Sequence, residues 1–198
     1  MRKVSTSIAA IVVCLSMAAF AQNAGQQQNG MNQQDREFAN MAAKANRAEI
    51  QMGNMAEQHA SNEAVKDFGK LMVNDHTNAA QKLKSWASQS NFKLPSGLPS
   101  QAASTKSSLS SLSGAQFDHQ YIQSQLKDHK KVIAAFEKEV EQGQNPQLKQ
   151  FAENTLPVLQ DHVRVVEDLA GKLGLSGKTG LANPAKAITG GQNMKMPK

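Results

Sequence analysis

The sequence predicts an all-α protein, a four-helix bundle made of two helical hairpins joined by a long crossover. Three observations carry this expectation. Apolar residues recur at helical spacing in four stretches of the 198-residue chain, a Pro/Gly cluster ends the second stretch, and the two halves carry related motifs.

The first stretch, about 35–60, sets Phe38, Ala42, Ala45, Met52, Ala56 and Ala60 on one face. The second, about 62–90, does the same with Val65, Phe68, Met72, Ala79, Leu83 and Trp86. Ser61, just before Glu63-Ala64, reads as the N-cap of a tightly linked second helix. Pro95, Gly97 and Pro99 then stop that helix, and a serine-rich crossover follows to Gly114. The third stretch, about 115–142, carries Ile122, Leu126, Ile133, Phe136 and Val140. Gly143 to Pro146 makes a turn into the fourth, about 147–173, with Leu148, Phe151, Leu159, Val166, Leu169 and Leu173. Pro157 is expected to kink it, because proline lacks a backbone donor and crowds the preceding turn. AVKDFGKLMVNDH in the second helix and QLKQFAENTLPVLQDH in the fourth share Lys-x-Phe and a later Asp-His pair. Two such hairpins with a long crossover make the ferritin-like arrangement of a bundle.

The ends read differently. Arg2 and Lys3, the apolar run Ile8 to Phe20 and the small residues of Ala19-Phe20-Ala21 form a signal peptide over 1–21, cleaved before Gln22. Cys14 lies inside that run after Val13, where a lipidation site needs a small residue, so residues 22–198 carry no thiol chemistry and no disulfide. No transmembrane anchor remains after cleavage, and the destination is the periplasm or outer envelope of a bacterium. Residues 22–34 are a polar Gln/Asn-rich leader, 35–175 the bundle, and 176–198 a basic tail expected to be disordered. The tail is a solubilising segment or a weak contact to anionic lipid or cell-wall polymer.

The formal charge of +6 excludes less than it suggests. Six of the 22 basic residues, but none of the 16 acidic ones, lie outside Asp35–Lys172, so the folded part is neutral. A nucleic-acid-binding face needs a concentrated basic patch, and none is present. Nor is there a glycine-rich phosphate loop, a nucleophile elbow, a CxxC pair or a facing pair of carboxylates, so an enzyme is the minority expectation.

The polar residues on the apolar faces carry the functional expectation. At 100° per residue, Glu49 falls within the stripe of Phe38, Ala42, Ala45 and Ala56. His129 shares a face with Ile122, Leu126 and Phe136, and His162 with Phe151, Val166 and Leu169. Asp75 and His76 straddle the edge of the second helix's apolar face, so either can turn inward, while Asp128 and Asp161 point outward. Counted from the two turns, Glu49, His76, His129 and His162 share a level within about 5 Å in each hairpin. A Glu with two or three His suits a transition metal, the imidazoles binding Zn, Cu, Fe or Ni and the carboxylate balancing charge; Asp75 is the alternative ligand. The other reading is a structural network in which the same groups satisfy one another by hydrogen bonds. A di-iron oxidase ranks third, because Val73 and Leu159 stand where Glu-x-x-His requires glutamate. Asp118 shares a face with His129 but stands about 16 Å away; with Tyr121 it is expected to tie the crossover to the bundle. His59 and His119 read as solvated, and Met41, Met52, Met55 and Met72 as core filler.

FANMAAKANRAEIQMGNMAEQHASNEAVKDFGKLMVNDHTNAAQKL, LSGAQFDHQYIQSQLKDHK and FAENTLPVLQDH resemble exported bacterial proteins grouped as domain of unknown function 4142, over about 36–170. Glu49, Asp75-His76, Phe117-Asp118 with Tyr121, Asp128-His129, and Leu156-Pro157 with His162 carry the resemblance. It implies a ferritin-like bundle and an extracytoplasmic location, and brings no established reaction. The leading expectation is an exported binding or envelope-stress protein holding a metal; the second is a structural or interaction protein.

Overall fold

The structure, a computed structural model, describes residues 30–175. The expected signal peptide with Cys14, most of the leader and the basic tail lie outside the described residues. Five helices and no strand occur among the described residues: α1 (Gln33–His59), α2 (Glu63–Gln89), α3 (Ser100–Ser110), α4 (Gly114–Gln142) and α5 (Pro146–Lys172). No helix there is long and apolar enough to cross a membrane.

Four helices lie where the apolar periodicity places them, and their ends have local causes. α1 opens on a capping box: Asn32 accepts from the Asp35 N–H and Asp35 accepts from the Asn32 N–H. Asn62 caps α2 by accepting from the Ala64 N–H, which corrects the assignment of that role to Ser61. Asn145 caps α5 in the same way, with Pro146 in the first turn. α5 continues through Pro157, whose ring lies on an exposed face where water can take the carbonyl left without a donor. The crossover was expected to lack helical pattern, yet it contains α3. Only Ala102 and Leu109 of that helix are buried, so its serine-rich sequence carries almost no periodic signal.

α1 packs along α2, α4 along α5, α1 also meets α4, α2 meets α5, and α3 lies on α1 and α4. The start of α1 touches the end of α4: Asn32 donates to the Gln142 carbonyl at 2.9 Å, and the Phe38 and Phe136 rings meet edge-on at 4.8 Å. The end of α1 touches the start of α4, where His59 stacks on Phe117. α1 and α4 are therefore antiparallel, α2 and α4 run the same way, and the 90–113 connection returns along the bundle.

A constant offset of 83 positions separates Asp35 from Asp118, Asn62 from Asn145, and Val65 from Leu148. The offset is also a structural one. Buried Asp35 accepts from the backbone N–H groups of Gln144 and Asn145 in the α4–α5 turn. Buried Asp118 accepts from the N–H groups of Ser61 and Asn62 and from the Ser61 hydroxyl in the α1–α2 turn. Each hairpin's turn is thus held by a carboxylate from the other hairpin. Asp118 ties a turn, not the crossover, and Tyr121 packs between Phe68 and Phe117 in the core. Removing a buried acceptor leaves its donors desolvated and unpaired, so Asp118→Ala should cost about 3 kcal/mol, read as a lower urea midpoint at unchanged slope.

Two apolar clusters fill the interior. One, around Met52, Phe68, Met72, Tyr121 and Val166, lies toward the α1–α2 turn. The other, around Phe38, Leu83, Trp86, Phe136 and Leu159, lies toward the opposite end. In each of the four long helices, a polar layer of Asn46, Glu49, His76, Gln125, His129 and His162 falls between them.

Candidate metal centre

Each of these polar side chains is at least 95% buried, so each needs a partner in the protein. One ring nitrogen each of His76, His129 and His162 lies within 4.8 Å of one from both others. α2 supplies the first, α4 the second and α5 the third.

The other nitrogen of each ring fixes the tautomer. His129 Nδ1 lies 3.0 Å from the Gln125 carbonyl oxygen, which only accepts, so Nδ1 carries the proton. His76 Nδ1 likewise donates to Asn46 Oδ1 at 2.9 Å. His162 Nε2 donates to Asp75 Oδ2 at 3.0 Å. All three protons therefore point away from the centre and three lone pairs remain, on His129 Nε2, His162 Nδ1 and His76 Nε2. The first two stand 3.3 Å apart, and the third is buried without a hydrogen-bond partner among the described residues. Two ligands of a tetrahedral ion at about 2.0–2.1 Å are separated by about 3.3 Å, the edge of the tetrahedron.

Electrostatics keeps the rings neutral. Burial pushes His129 down to about 3, with the neighbouring His162 adding to the shift and its hydrogen bond to Gln125 opposing it. Burial and the other two imidazoles hold His76 well below the usual histidine range. Burial lowers His162 as well, and Asp75 opposes that. Neutral imidazole is the form that binds a metal ion.

Glu49 is brought to the same layer but not among the three side chains whose nitrogens converge. Its Oε2 accepts from Gln125 Nε2 at 2.7 Å, and Gln125 in turn holds His129 through its backbone. Burial pushes Glu49 up to about 8, the Gln125 bond opposing and Asp128 assisting, so it is protonated at neutral pH. Asp75 stands behind His162, its side chain 25% exposed. Asn46 and Gln125 are the partners that reading the sequence missed. The available signal was a buried-face amide one turn before Glu49 and another one turn before His129.

These shifts give a signed pH dependence for the metal-free protein. Histidines lowered on folding contribute stability that is complete above pH about 6.5 and lost as pH falls toward 3. Glu49 is raised on folding, so its contribution is complete below about 4.5 and lost as pH rises through about 8. Glu49→Gln should therefore gain on the wild type between pH 5 and 9, by on the order of a few kcal/mol, in urea melts run across that range.

The family described as Domain of unknown function (DUF4142) matches residues 20–169. The chain belongs to the DUF4142 family. No curated protein matches it. Among solved structures, this DUF4142 protein is similar to a DUF305 protein from Streptomyces coelicolor: TM-score 0.63, 17% identity, 71% of this chain and 92% of that one. It is also similar to a DUF305 fragment from Deinococcus radiodurans, with TM-score 0.65, 11% identity, and 72% and 98% covered. A two-domain Anabaena variabilis protein with DJ-1/ThiJ/PfpI-like and ferritin-like domains gives TM-score 0.51 at 16% identity, covering 82% of this chain and 43% of that one. At these identities the likeness is one of fold, all-α and ferritin-like.

Proposed function

We propose that this DUF4142 protein is exported and binds one transition metal ion through His129 Nε2, His162 Nδ1 and His76 Nε2. The observation that carries the reading is the orientation of the protons. Three buried imidazoles each donate outward, to a carbonyl, an amide and a carboxylate, and leave converging lone pairs. A carboxylate or carbonyl behind a ligating histidine is the usual support of a metal site. A purely structural network would pair these nitrogens with donors; here one is orphaned and two lone pairs face each other. An ion held by these three nitrogens would keep a fourth position for water or another ligand. Three nitrogens favour Zn(II), Cu(II) or Ni(II). Glu49, buried in the same layer, would supply a carboxyl that can ionise to balance the charge of an ion held there. The export reading rests on Arg2-Lys3, the Ile8–Phe20 run and Ala19-Phe20-Ala21.

Equilibrium dialysis of the mature, untagged protein against Zn(II), followed by elemental analysis, tests the site. One equivalent is expected, with affinity falling at least 100-fold in His129→Ala and His162→Ala and 10- to 100-fold in Asp75→Asn. Zinc uptake unchanged in the histidine variants would sink the proposal.

A further inference from the structure

A groove of about 420 Å³ runs along α1 and α4 beneath the start of α3. Its walls are apolar: Met41, Ala45 and Met52 from α1, Val132 and Ala135 from α4, and Ala102 from α3. The charged residues that line it cancel, Lys44 and Lys131 against Glu37 and Asp128. Glu49 belongs to this groove and also to the small space against His76 and His129, and Ala45 and Val132 are common to both. Glu49 is 96% buried, and only its Oε2 has a hydrogen-bond partner among the described residues. The groove thus has an apolar body, a mouth without net charge, and in its lining the Glu49 carboxyl, of which one oxygen has no hydrogen-bond partner among the described residues.

We propose that the groove binds an uncharged small organic molecule with an apolar body and a single hydroxyl or carbonyl oxygen, which meets Glu49. The volume is that of a small-ligand pocket, and an apolar cleft with few convergent polar groups is the usual form of one. Apolar walls and two lysines do not suit a free cation, and the balanced mouth gives no preference for an anion. The ligand's oxygen gives the second carboxyl oxygen a hydrogen-bond partner inside an otherwise apolar cleft. Binding does not depend on the metal, although the oxygen end would lie on the histidine side of the groove.

The test is calorimetric titration of the full mature chain, kept metal-free with EDTA, with phenol, 4-methylphenol, 4-ethylphenol and 4-propylphenol. Keeping metal out separates this outcome from that of the zinc experiment. One-to-one binding is expected, tightening about fourfold for each added methylene. Ala45→Phe and Ala135→Phe fill the groove from opposite walls, and each should weaken 4-propylphenol at least tenfold with helical circular dichroism retained. Glu49→Leu should remove the preference for 4-propylphenol over propylbenzene. No saturable binding of any phenol to the wild type would overturn the proposal. So would 4-propylphenol binding that either folded filling variant leaves unchanged, or a preference over propylbenzene that survives Glu49→Leu.

Discussion

Zinc in thousandfold excess over its dissociation constant should raise the thermal midpoint of the protein by about 10 °C. Linkage at that excess contributes about 4 kcal/mol, and a domain of this size gains roughly 2–4 °C for each. EDTA should reverse the rise. In His129→Ala the same zinc should move the midpoint by no more than about 4 °C, because for a site weakened at least 100-fold it is at most about tenfold in excess and contributes about 1.4 kcal/mol or less. Affinity is favoured because the metal-free layer is poorly compensated: His76 Nε2, Gln125 Oε1 and Asn46 Nδ2 are all buried without partners among the described residues. An ion answers the first of these directly and releases the facing lone pairs of His129 and His162 from mutual repulsion. Scanning calorimetry of both proteins, with and without zinc, measures the shift.

Gly53→Ala and Gly69→Ala should each destabilise the bundle by about 3 kcal/mol or more, although alanine favours a helix interior by about 1 kcal/mol. The sign is decided by how closely α1 and α2 cross. A Cβ on Gly53 would stand 2.7 Å from the Gly69 carbonyl oxygen and 2.9 Å from Val73 Cγ2. A Cβ on Gly69 would stand 2.8 Å from both the Ala56 Cβ and the Gly53 carbonyl oxygen. Backbone cannot swing aside as a long side chain can, so the helices must separate. The same pair of helices carries the Asn46–His76 bond that orients one proposed ligand. Either variant should therefore also weaken zinc binding, while an exposed control such as Lys70→Ala leaves it unchanged. Urea titration and zinc affinity measured on the same samples separate the two effects.

The four long helices were legible because each writes its buried stripe at regular spacing, as Phe38, Ala42, Met52 and Ala56 do in α1. α3 was not, because a helix held by Ala102 and Leu109 alone has no stripe to show. The histidines stood out in the sequence because an imidazole among Phe151, Val166 and Leu169 breaks an apolar face. Which atoms meet was not legible, since contact between helices depends on rotation and stagger to within an ångström or two. Levels matched to about 5 Å could not separate Glu49, which reaches His129 only through Gln125, from the three rings that converge. Asp118 shows the same limit: its turn partners Ser61 and Asn62 lie 57 and 56 residues away in the other hairpin.

X-ray absorption of the zinc-loaded mature protein tests the three-histidine centre most directly. Three imidazole nitrogens at about 2.0–2.1 Å plus one light-atom ligand are expected, with the imidazole scattering reduced in His76→Ala. A shell of water oxygens, or imidazole scattering that persists unchanged in all three single histidine variants, would contradict it.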